Sequence, residues 1–304
     1  ETTSLDTRQA ELVGLSFSWK AHEGHYVPIP ADQNEAKAIM AEFTGIFEAL
    51  GILKIGQNIK YDLTILKHYN VQISGPLFDT MLAHYLIEPD MRHNMDILAE
   101  TYLNYKTVSI ETLIGKKGKN QGSMRDADLA QVAEYAGEDA DVTWQLKELF
   151  EPKLKETAVD KVFFEIESPL VNVLADMEFA GIKVDVDGLN KYSAELHEDI
   201  LRLEDEITAL AGTPFNIGSP KQLGEILFDR LKLLAKPKKT KTGQYATGEE
   251  VLSKLGDEHQ IVREILDFRE LQKLKNTYVD TLPELISKKD HRIHTSYNQA
   301  VAAT

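Results

Sequence analysis

The apolar residues of this chain follow two different periods, and the change between them constrains the fold more than any other feature. Residues 12–18 alternate as in a strand, and residues 24–29 predict its hairpin partner, with Pro28 at an edge or a strand end. A helix is predicted over residues 34–50 and a short strand over residues 52–55. Short strands followed by helices predict a small mixed sheet that is covered by helices.

Helical periods continue to the end of the chain, and the second half contains no strand pattern. The predicted helices cover residues 78–87, 94–103, 126–133 and 133–151, then 189–211, a helix opened by Ser219 and Pro220, a helix with a capping box at 247–250, and 261–286. A chain of 304 residues is long enough for two cores. We therefore predict two domains, with the boundary near residues 151–158.

The composition narrows the classes of protein that the chain can represent. With 42% hydrophobic and 27% charged residues, the chain is typical of a globular protein, and no apolar run is long enough to cross a bilayer. The absence of cysteine excludes disulfides and thiolate zinc sites and favours a cytoplasmic location. A formal net charge of -15 argues against a uniformly basic nucleic-acid binder, although acidic residues can reach phosphates through bound metal ions.

One pair of side chains suggests a metal-assisted hydrolytic site. Tyr135 and Asp139 are four residues apart in a predicted helix and share one face, where they could hold a water beside a divalent metal if other carboxylates complete the site. Asp62 and Glu1 are the other candidate acids. Spacing alone does not establish such a site in a chain with 49 acidic residues. The neighbouring Glu138 and Asp141 point around the helix, and we expect them to be solvated or to support the site from outside.

Three segments give the pattern its specificity. Residues 1–6 (ETTSLD), 55–62 (IGQNIKYD) and 134–143 (EYAGEDADVT) resemble, in order and spacing, the three exonuclease motifs of the proofreading domain of bacterial family A DNA polymerases. These domains are DEDD exonucleases of the tyrosine subtype. The resemblance continues through residues 92–96, 118–121, 166–171, 215–223, 274–278 and 294–301, so it covers essentially the whole chain. The later segments resemble the beginning of the polymerase domain and its thumb.

The resemblance implies an α/β fold for residues 1–155, with a ribonuclease H-like mixed β-sheet and flanking helices, followed over residues 156–304 by a mainly α-helical thumb region. It also implies 3'-5' exonucleolytic proofreading that releases nucleoside monophosphates from DNA. Glu1, Asp62 and Asp139 would be ligands of two divalent metal ions, Mg²⁺ with Mn²⁺ or Zn²⁺ as alternatives. Tyr135 would orient the attacking water.

The resemblance further implies contacts with DNA on both parts of the chain. Leu5 would wedge against the terminal base. The residues that would contact the single-stranded 3' end are Gln57, Asn58, Tyr61 and Arg92. In the thumb region Arg269, Lys273 and Lys275 form a candidate basic stripe, and residues 236–241 form a basic loop, both suited to the phosphates of duplex DNA.

The resemblance suggests a monomeric, nucleoid-associated bacterial protein of DNA replication and repair, with no membrane partner. The termini show one departure from the family. The first family motif is Asp-x-Glu, and the sequence begins at its glutamate, Glu1. Together with the end at residues 302–304, this favours a fragment of a longer protein that lacks the palm and fingers and does not polymerise. Without the first aspartate we expect weak metal binding and little exonuclease activity.

Two other functions remain open at this stage. A ribonuclease D type exonuclease shares the acid and tyrosine pattern but trims RNA, and the thumb-like segments after residue 160 argue against it. A vestigial exonuclease could serve only as a structural or DNA-binding module. The presence of Asp62, Tyr135, Asp139 and Glu1 argues against that loss, and Asp62→Ala separates the hypotheses.

Overall fold

A computed structural model describes residues 1–301, which divide into two compact units. The first unit contains residues 1–180 together with the described residues from 295 onward, and the second contains residues 181–294. The predicted fragment end at residues 302–304 lies outside the described residues. Residues 160–180 belong to the first unit by their packing, while the domain boundary near residue 155 stays a prediction.

The first unit is a mixed α/β assembly, as the sequence predicted. Its elements are β1 Gly14–Lys20, β2 Glu23–Pro28, α1 Gln33–Phe47, β3 Lys54–Gly56, α2 Ile59–Lys67, β4 Leu77–Asp79, α3 Thr80–Ile87, α4 Met95–Leu98, α5 Glu111–Ile114, α6 Leu129–Glu156, α7 Asp160–Val162 and α8 Ser168–Ala180. Ala99–Leu103 and Phe163–Glu167 are π-helical, and Met124–Asp126 is a 3₁₀ turn.

Two strand pairs of opposite kind make the sheet structure mixed. β1 and β2 are antiparallel, with Gly14 opposite Pro28 and a register shift after Phe17. β3 and β4 are parallel, with Gly56 opposite Asp79. Pro28 ends its strand, as predicted. β4 has only three residues, all buried, and its last two fall in the segment 78–87 that was predicted to be a helix. The parallel pair matters for the site because α2 and α3 both begin directly after it.

Helix α6 forms the centre of the first unit. Its buried side chains recur every four to six residues and pack against β1, β2 and α3; they are Val132, Ala136, Val142, Leu146, Phe150 and Leu154. The prediction of two helices meeting at residue 133 was wrong. The Asp128 side chain accepts hydrogen bonds from the Ala130 and Gln131 N–H groups and starts one continuous helix. That helix carries Tyr135 and Asp139 on a rigid element.

The second unit is helical apart from isolated bridges. It contains α9 Val186–Ala211, α10 Pro220–Gly224, α11 Glu249–Gly256 and α12 Gln260–Lys273, with π-helical Glu225–Arg230 and Leu274–Val279 and a 3₁₀ turn at Leu282–Leu285. Leu203 and Ile207 of α9 share a core with Val262 and Ile265 of α12. None of the helices described in residues 1–301 is both long and apolar enough to cross a membrane.

Capping residues decide where these helices begin. Ser219 caps α10 with Pro220 at its first position, which confirms the prediction. The predicted capping box at 247–250 was wrong, because Gly248 is the N-cap residue of α11 and supplies no side-chain oxygen. The helix predicted over residues 261–286 ends as an α-helix at Lys273 and continues as a π-helical segment.

Candidate active site

Tyr135 and Asp139 meet on one face of α6, as the spacing predicted. The two side chains are close enough for each to shift the pKa of the other. Burial, together with the negative charge of Glu1, raises the pKa of Asp139 to about 8, and the neighbouring Tyr135 hydroxyl opposes that rise. Burial and the Asp139 charge also raise the pKa of Tyr135 far above its usual value. The phenol is therefore protonated at neutral pH and able to donate a hydrogen bond.

Asp62 lies in the first turn of α2. Desolvation by the surrounding protein and the charges of Asp79 and Glu1 raise the pKa of its carboxyl, and the α-ammonium group of Glu1 lowers it, to a net value of about 7. Carboxylates that repel one another are stabilised by a divalent cation or a shared proton. The shifted pKa thus marks Asp62 as an acid whose surroundings are arranged for a positive partner.

Glu1 is held beside both other acids by backbone bonds. Its ammonium group donates to the Gly14 carbonyl at 2.7 Å, and its carbonyl accepts from the Val13 N–H at 2.8 Å. The Glu1 charge raises the pKa of both Asp62 and Asp139, so the Glu1 carboxylate is near enough to interact electrostatically with each of them. The assignment of these three acids to one site stays a prediction.

The donor chemistry of these acids fits a hard divalent ion. Three carboxylates supply the oxygen ligands that Mg²⁺ and Mn²⁺ prefer, and the repulsion among them would be relieved by such an ion. Within residues 1–301, no group of three or more histidine and acidic side chains is arranged so that it could hold a metal ion as it stands. The assignment of Glu1, Asp62 and Asp139 as metal ligands stays a prediction.

Tyr61 and Leu5 border the same region. The Tyr61 hydroxyl hydrogen-bonds to Thr2 Oγ1 and to the Ser4 carbonyl, both at 2.5 Å, and so ties α2 to the segment that follows Glu1. Leu5 is 88% exposed, which is unusual for a leucine and leaves its side chain available to a ligand.

Gln57, Asn58 and Arg92 are placed differently from one another. The Gln57 amide is engaged within the protein, donating to the His93 carbonyl at 2.6 Å and accepting from the Thr80 hydroxyl. Asn58 has a left-handed backbone, with φ 57°, and an exposed side chain. Arg92 is exposed in the loop between α3 and α4. Of the three, Asn58 and Arg92 are presented to solvent and Gln57 supports the loop.

The three basic residues predicted for the thumb do not form one stripe. Arg269 and Lys273 line a cavity of about 880 Å³, to which Gln272 and Asn276 also contribute. The Arg269 guanidinium donates to the Thr247 carbonyl at 2.6 Å, and burial lowers its pKa. Lys275 instead binds Ser193 and Asp280, at 2.8 and 2.7 Å. The structure thus brings two of the three to one cavity.

Sequence reasoning missed several acids around the site. The charge of Asp96 helps to raise the pKa of Tyr135 and Asp139. Asp96 lies in the segment 92–96 that carries the family resemblance, but no role was predicted for it from the sequence. Glu138 is not simply solvated, because it accepts hydrogen bonds from the Tyr105 hydroxyl at 2.6 Å and the Val108 N–H at 2.8 Å. Such roles depend on contacts between distant segments and leave no local signal. Asp79, whose charge raises the pKa of Asp62, is another acid that the sequence did not single out.

Known proteins match both parts of the chain. The sequence model of the family described as 3'-5' exonuclease matches residues 1–155, and that of DNA polymerase family A matches residues 186–304. DNA polymerase I of Pseudomonas aeruginosa is 42% identical over all of this chain and 34% of its own length. DNA polymerase I of Borreliella burgdorferi is 40% identical over all of this chain and 33% of its own length. The chain thus spans about a third of the length of the curated relatives it matches.

A solved structure extends the match to three dimensions. The POL domain of Pol1 from M. smegmatis, in complex with DNA primer-template and dNTP, superposes with a TM-score of 0.79 at 27% identity, covering 99% of this chain and 48% of that chain. The chain therefore belongs to the 3'-5' exonuclease family over its first half and, as a whole, to the family A DNA polymerases of the DNA polymerase I type.

Proposed function

We propose that the first unit removes nucleotides from the single-stranded 3' end of DNA with the help of two divalent metal ions, releasing nucleoside monophosphates as a proofreading exonuclease. The observation that supports this proposal is the electrostatic interaction of Glu1 with Asp62, Asp139 and Tyr135, with Tyr135 and Asp139 one turn apart on α6. Acids with raised pKa values that gather at one place are typical of catalytic sites.

Each residue would contribute a distinct part of the reaction. Glu1, Asp62 and Asp139 would hold the ions, which when bound supply Lewis-acid stabilisation of the negative charge on the phosphodiester. The Tyr135 hydroxyl would hold and orient the attacking water, because its raised pKa keeps the proton on the phenol. Asp139, one turn away on the same helix, would accept from this hydroxyl and fix the direction in which it points.

Exposed residues beside the acids would bind the strand. Leu5 would pack on the terminal base, while the side chains of Asn58 and Arg92 would contact the backbone. Tyr61 would hold the Leu5 segment near α2 through its bonds to Thr2 and Ser4. These contacts recognise a single strand, which agrees with removal of frayed ends.

The test of this proposal is Asp62→Ala in the intact protein, with Glu134→Gln as a matched control because Glu134 is an exposed acid on α6 one residue before Tyr135. We expect Asp62→Ala to abolish Mg²⁺-dependent release of nucleotides from a 3'-labelled single-stranded DNA and to weaken Mn²⁺ binding measured by calorimetry. The control should leave both unchanged.

The same assay decides among the alternatives. Faster release from an RNA oligonucleotide than from DNA would support the ribonuclease D type activity. Unchanged degradation after Asp62→Ala, or absence of any metal-dependent degradation by the intact wild-type protein, would support a vestigial module and contradict the proposal.

For the second unit we propose contact with duplex DNA at the cavity lined by Arg269 and Lys273. A related POL domain is described in complex with DNA primer-template. Lys273 is exposed at the end of α12, and Asn276 and Thr277 line the same cavity and could donate to phosphates. The basic loop at residues 236–241 lies in the same unit.

Lys273→Gln tests the duplex contact. Its control is Lys191→Gln, which removes the same charge from an exposed side chain of α9 that faces Glu195. A lysine that neutralises one phosphate should change the slope of log affinity against log salt by about 1, and its loss should weaken binding of all sequences alike. Equal effects of the two variants on duplex affinity, measured by fluorescence anisotropy over a salt series, would contradict a specific role for Lys273.

A further inference from the structure

One carboxylate caps two helices of the first unit. Asp79 ends β4, is 2% exposed, and accepts four backbone hydrogen bonds. Its Oδ1 accepts from Met81 and Leu82 at the start of α3, at 2.9 and 3.3 Å. Across the strand pair, the same carboxylate accepts from Asn58 at 3.1 Å and from Ile59 at 2.8 Å, where α2 begins. The two helices are therefore started from a single buried group.

Helix α2 depends on this outside cap because its own N-cap residue does not supply one. Asn58 has φ 57° and ψ 47°, and its side chain makes no capping hydrogen bond. The first N–H groups of a helix need acceptors, and a left-handed residue other than glycine costs about 1 kcal/mol. Asp79 satisfies the N–H groups of Asn58 and Ile59 and thereby stabilises the strained turn. The Asn58 side chain is left facing solvent.

Thr80 holds the other half of the same turn. Its hydroxyl lies 3.2 Å from the Gly56 carbonyl and also donates to the Gln57 side chain. A Cβ on Gly56 would come within 2.8 Å of the Ile59 side chain, so position 56 of this turn has no room for a larger residue. Asp79 and Thr80 are thus adjacent residues that fix successive parts of this turn.

Asp62 is the fourth residue of the helix that this turn starts. We propose that Asp79, assisted by Thr80, is a positioning residue that fixes the 56–59 turn and so sets where α2 presents Asp62 to the catalytic site. The inference rests on the proposed exonuclease function, and it assigns a role in that reaction to a residue outside the three motifs. Displacements of about 1 Å at a catalytic group reduce rates by about a hundredfold, so a rigid start to α2 matters.

The test is Asp79→Asn, which is nearly isosteric but replaces one acceptor oxygen with an NH₂ donor. An amide that keeps its oxygen at the Oδ1 position retains the bonds from Met81, Leu82 and Asn58 but turns its NH₂ group towards the Ile59 N–H, which bonds to Oδ2. We expect kcat on single-stranded DNA to fall between about tenfold and a hundredfold with KM within about twofold, and Mn²⁺ affinity to fall by about tenfold. Amide hydrogen exchange at Ile59 should accelerate, because this N–H group loses its acceptor.

Asp32→Asn is the matched control. Asp32 caps α1 through bonds from the Asn34 and Glu35 N–H groups, at 2.9 and 3.0 Å, and serves one helix only. It should alter stability slightly and leave kcat, KM and Mn²⁺ affinity unchanged. A purely structural role for Asp79 predicts that both variants behave alike once each is assayed well below its melting temperature, and that result would overturn the inference.

A second substitution separates positioning from general loss of stability. Glycine adopts positive φ without strain, so the loss of kcat caused by Asp79→Asn should be smaller in an Asn58→Gly background, measured against the Asn58→Gly single variant because that change also removes a side chain expected to contact DNA. An equal loss of kcat in the two backgrounds would count against the inference. If Asp79→Asn does not fold, Thr80→Val removes only the bonds to Gly56 and Gln57 and should lower kcat by about three- to tenfold. An unchanged kcat there would also overturn it.

The two proposals fail in different ways. If Asp62→Ala keeps full activity, the exonuclease site is wrong, whereas faster exchange at Ile59 in Asp79→Asn would still show the turn to depend on Asp79. If Asp62→Ala abolishes activity but Asp79→Asn changes neither exchange nor Mn²⁺ affinity, the exonuclease proposal stands and the positioning role is wrong.

Discussion

The two units hold their carboxylates in opposite ways. In the first unit, burial raises the pKa of Asp62 to about 7 and that of Asp139 to about 8. In the second unit, a hydrogen bond from Lys275 lowers the pKa of the exposed Asp280. Ionising the acids of the first unit therefore costs folding free energy, whereas ionising Asp280 contributes to it. Acids that a fold keeps at a cost to its stability are those that its function requires.

Asp139→Asn should give the largest effect and sharpen this comparison. The unfolded carboxyl loses its proton near pH 4, and the folded one near pH 8, so stability of the metal-free protein falls as pH rises between these values. Asparagine removes that loss. In the presence of a chelator, the variant should be more stable than wild type by about 2 to 4 kcal/mol at pH 8 and no more stable at pH 4, measured by urea unfolding.

The same variant should lose exonuclease activity, so stability and activity change in opposite directions. Glu134→Gln on the same helix serves as the control. It should change the free energy of unfolding by no more than about 0.5 kcal/mol and leave exonuclease activity unchanged. Equal stability gains at pH 4 and pH 8 would mean that the charge of Asp139 is not what destabilises the fold.

His84 gives the second largest expected effect on stability. It shows that the first unit buries a basic side chain as well as acidic ones. It is fully buried and hydrogen-bonds through Nδ1 to His93 and through Nε2 to Tyr102. Burial lowers the pKa of His84 to about 4, with help from the charges of His93 and Lys153. Since the unfolded imidazole protonates near pH 6.5, stability is fully present above that value and is lost as pH falls towards 4.

We expect this histidine to account for about 2 to 3 kcal/mol of the stability that wild type loses between pH 7 and pH 4. In His84→Gln the cost of the substitution should be greatest at pH 7 and should shrink at pH 4, measured by thermal unfolding across that range. A cost that does not vary with pH would show that the imidazole is not held neutral.

Some helices and site residues could be predicted from the sequence and others could not, for physical reasons. Apolar periodicity predicted α9 because its buried face repeats over 26 residues, and the local signals of Ser219 and Pro220 fixed the start of α10. The three-residue β4 was too short to show a period. The four-residue spacing placed Tyr135 and Asp139 one turn apart, since helix geometry alone fixes that separation.

Contacts between distant segments account for the rest. Asp79 is 21 residues from Asn58, and nothing local shows that its carboxylate serves a second helix. Lys275 looked available for DNA, but Ser193 and Asp280 bind it. A charge pattern read along one helix cannot reveal a partner on another, so the position of buried polar groups required the fold.

Asp280→Asn should give the smallest effect, with a sign opposite to that of the same substitution at Asp139. Asp280 accepts from Lys275 and from Ser193, each at 2.7 Å, which ties the end of the unit to α9. Its folded pKa is lowered, so the stability is present above the unfolded value near 4 and is lost as pH falls through the folded pKa. The side chain is 40% exposed, and solvent screening limits the effect to about 0.5 to 1 kcal/mol at pH 7.

The variant should therefore be less stable than wild type at pH 7, equal to it at pH 2.5, and closer to it in 1 M salt, measured by urea unfolding with Lys191→Gln as a surface control. An Asp→Asn change that stabilises one unit at neutral pH and destabilises the other would establish that the two sets of acids are maintained for different reasons. If both substitutions destabilise at neutral pH, the acids of the first unit are structural, and the strongest physical argument for a catalytic site there is lost.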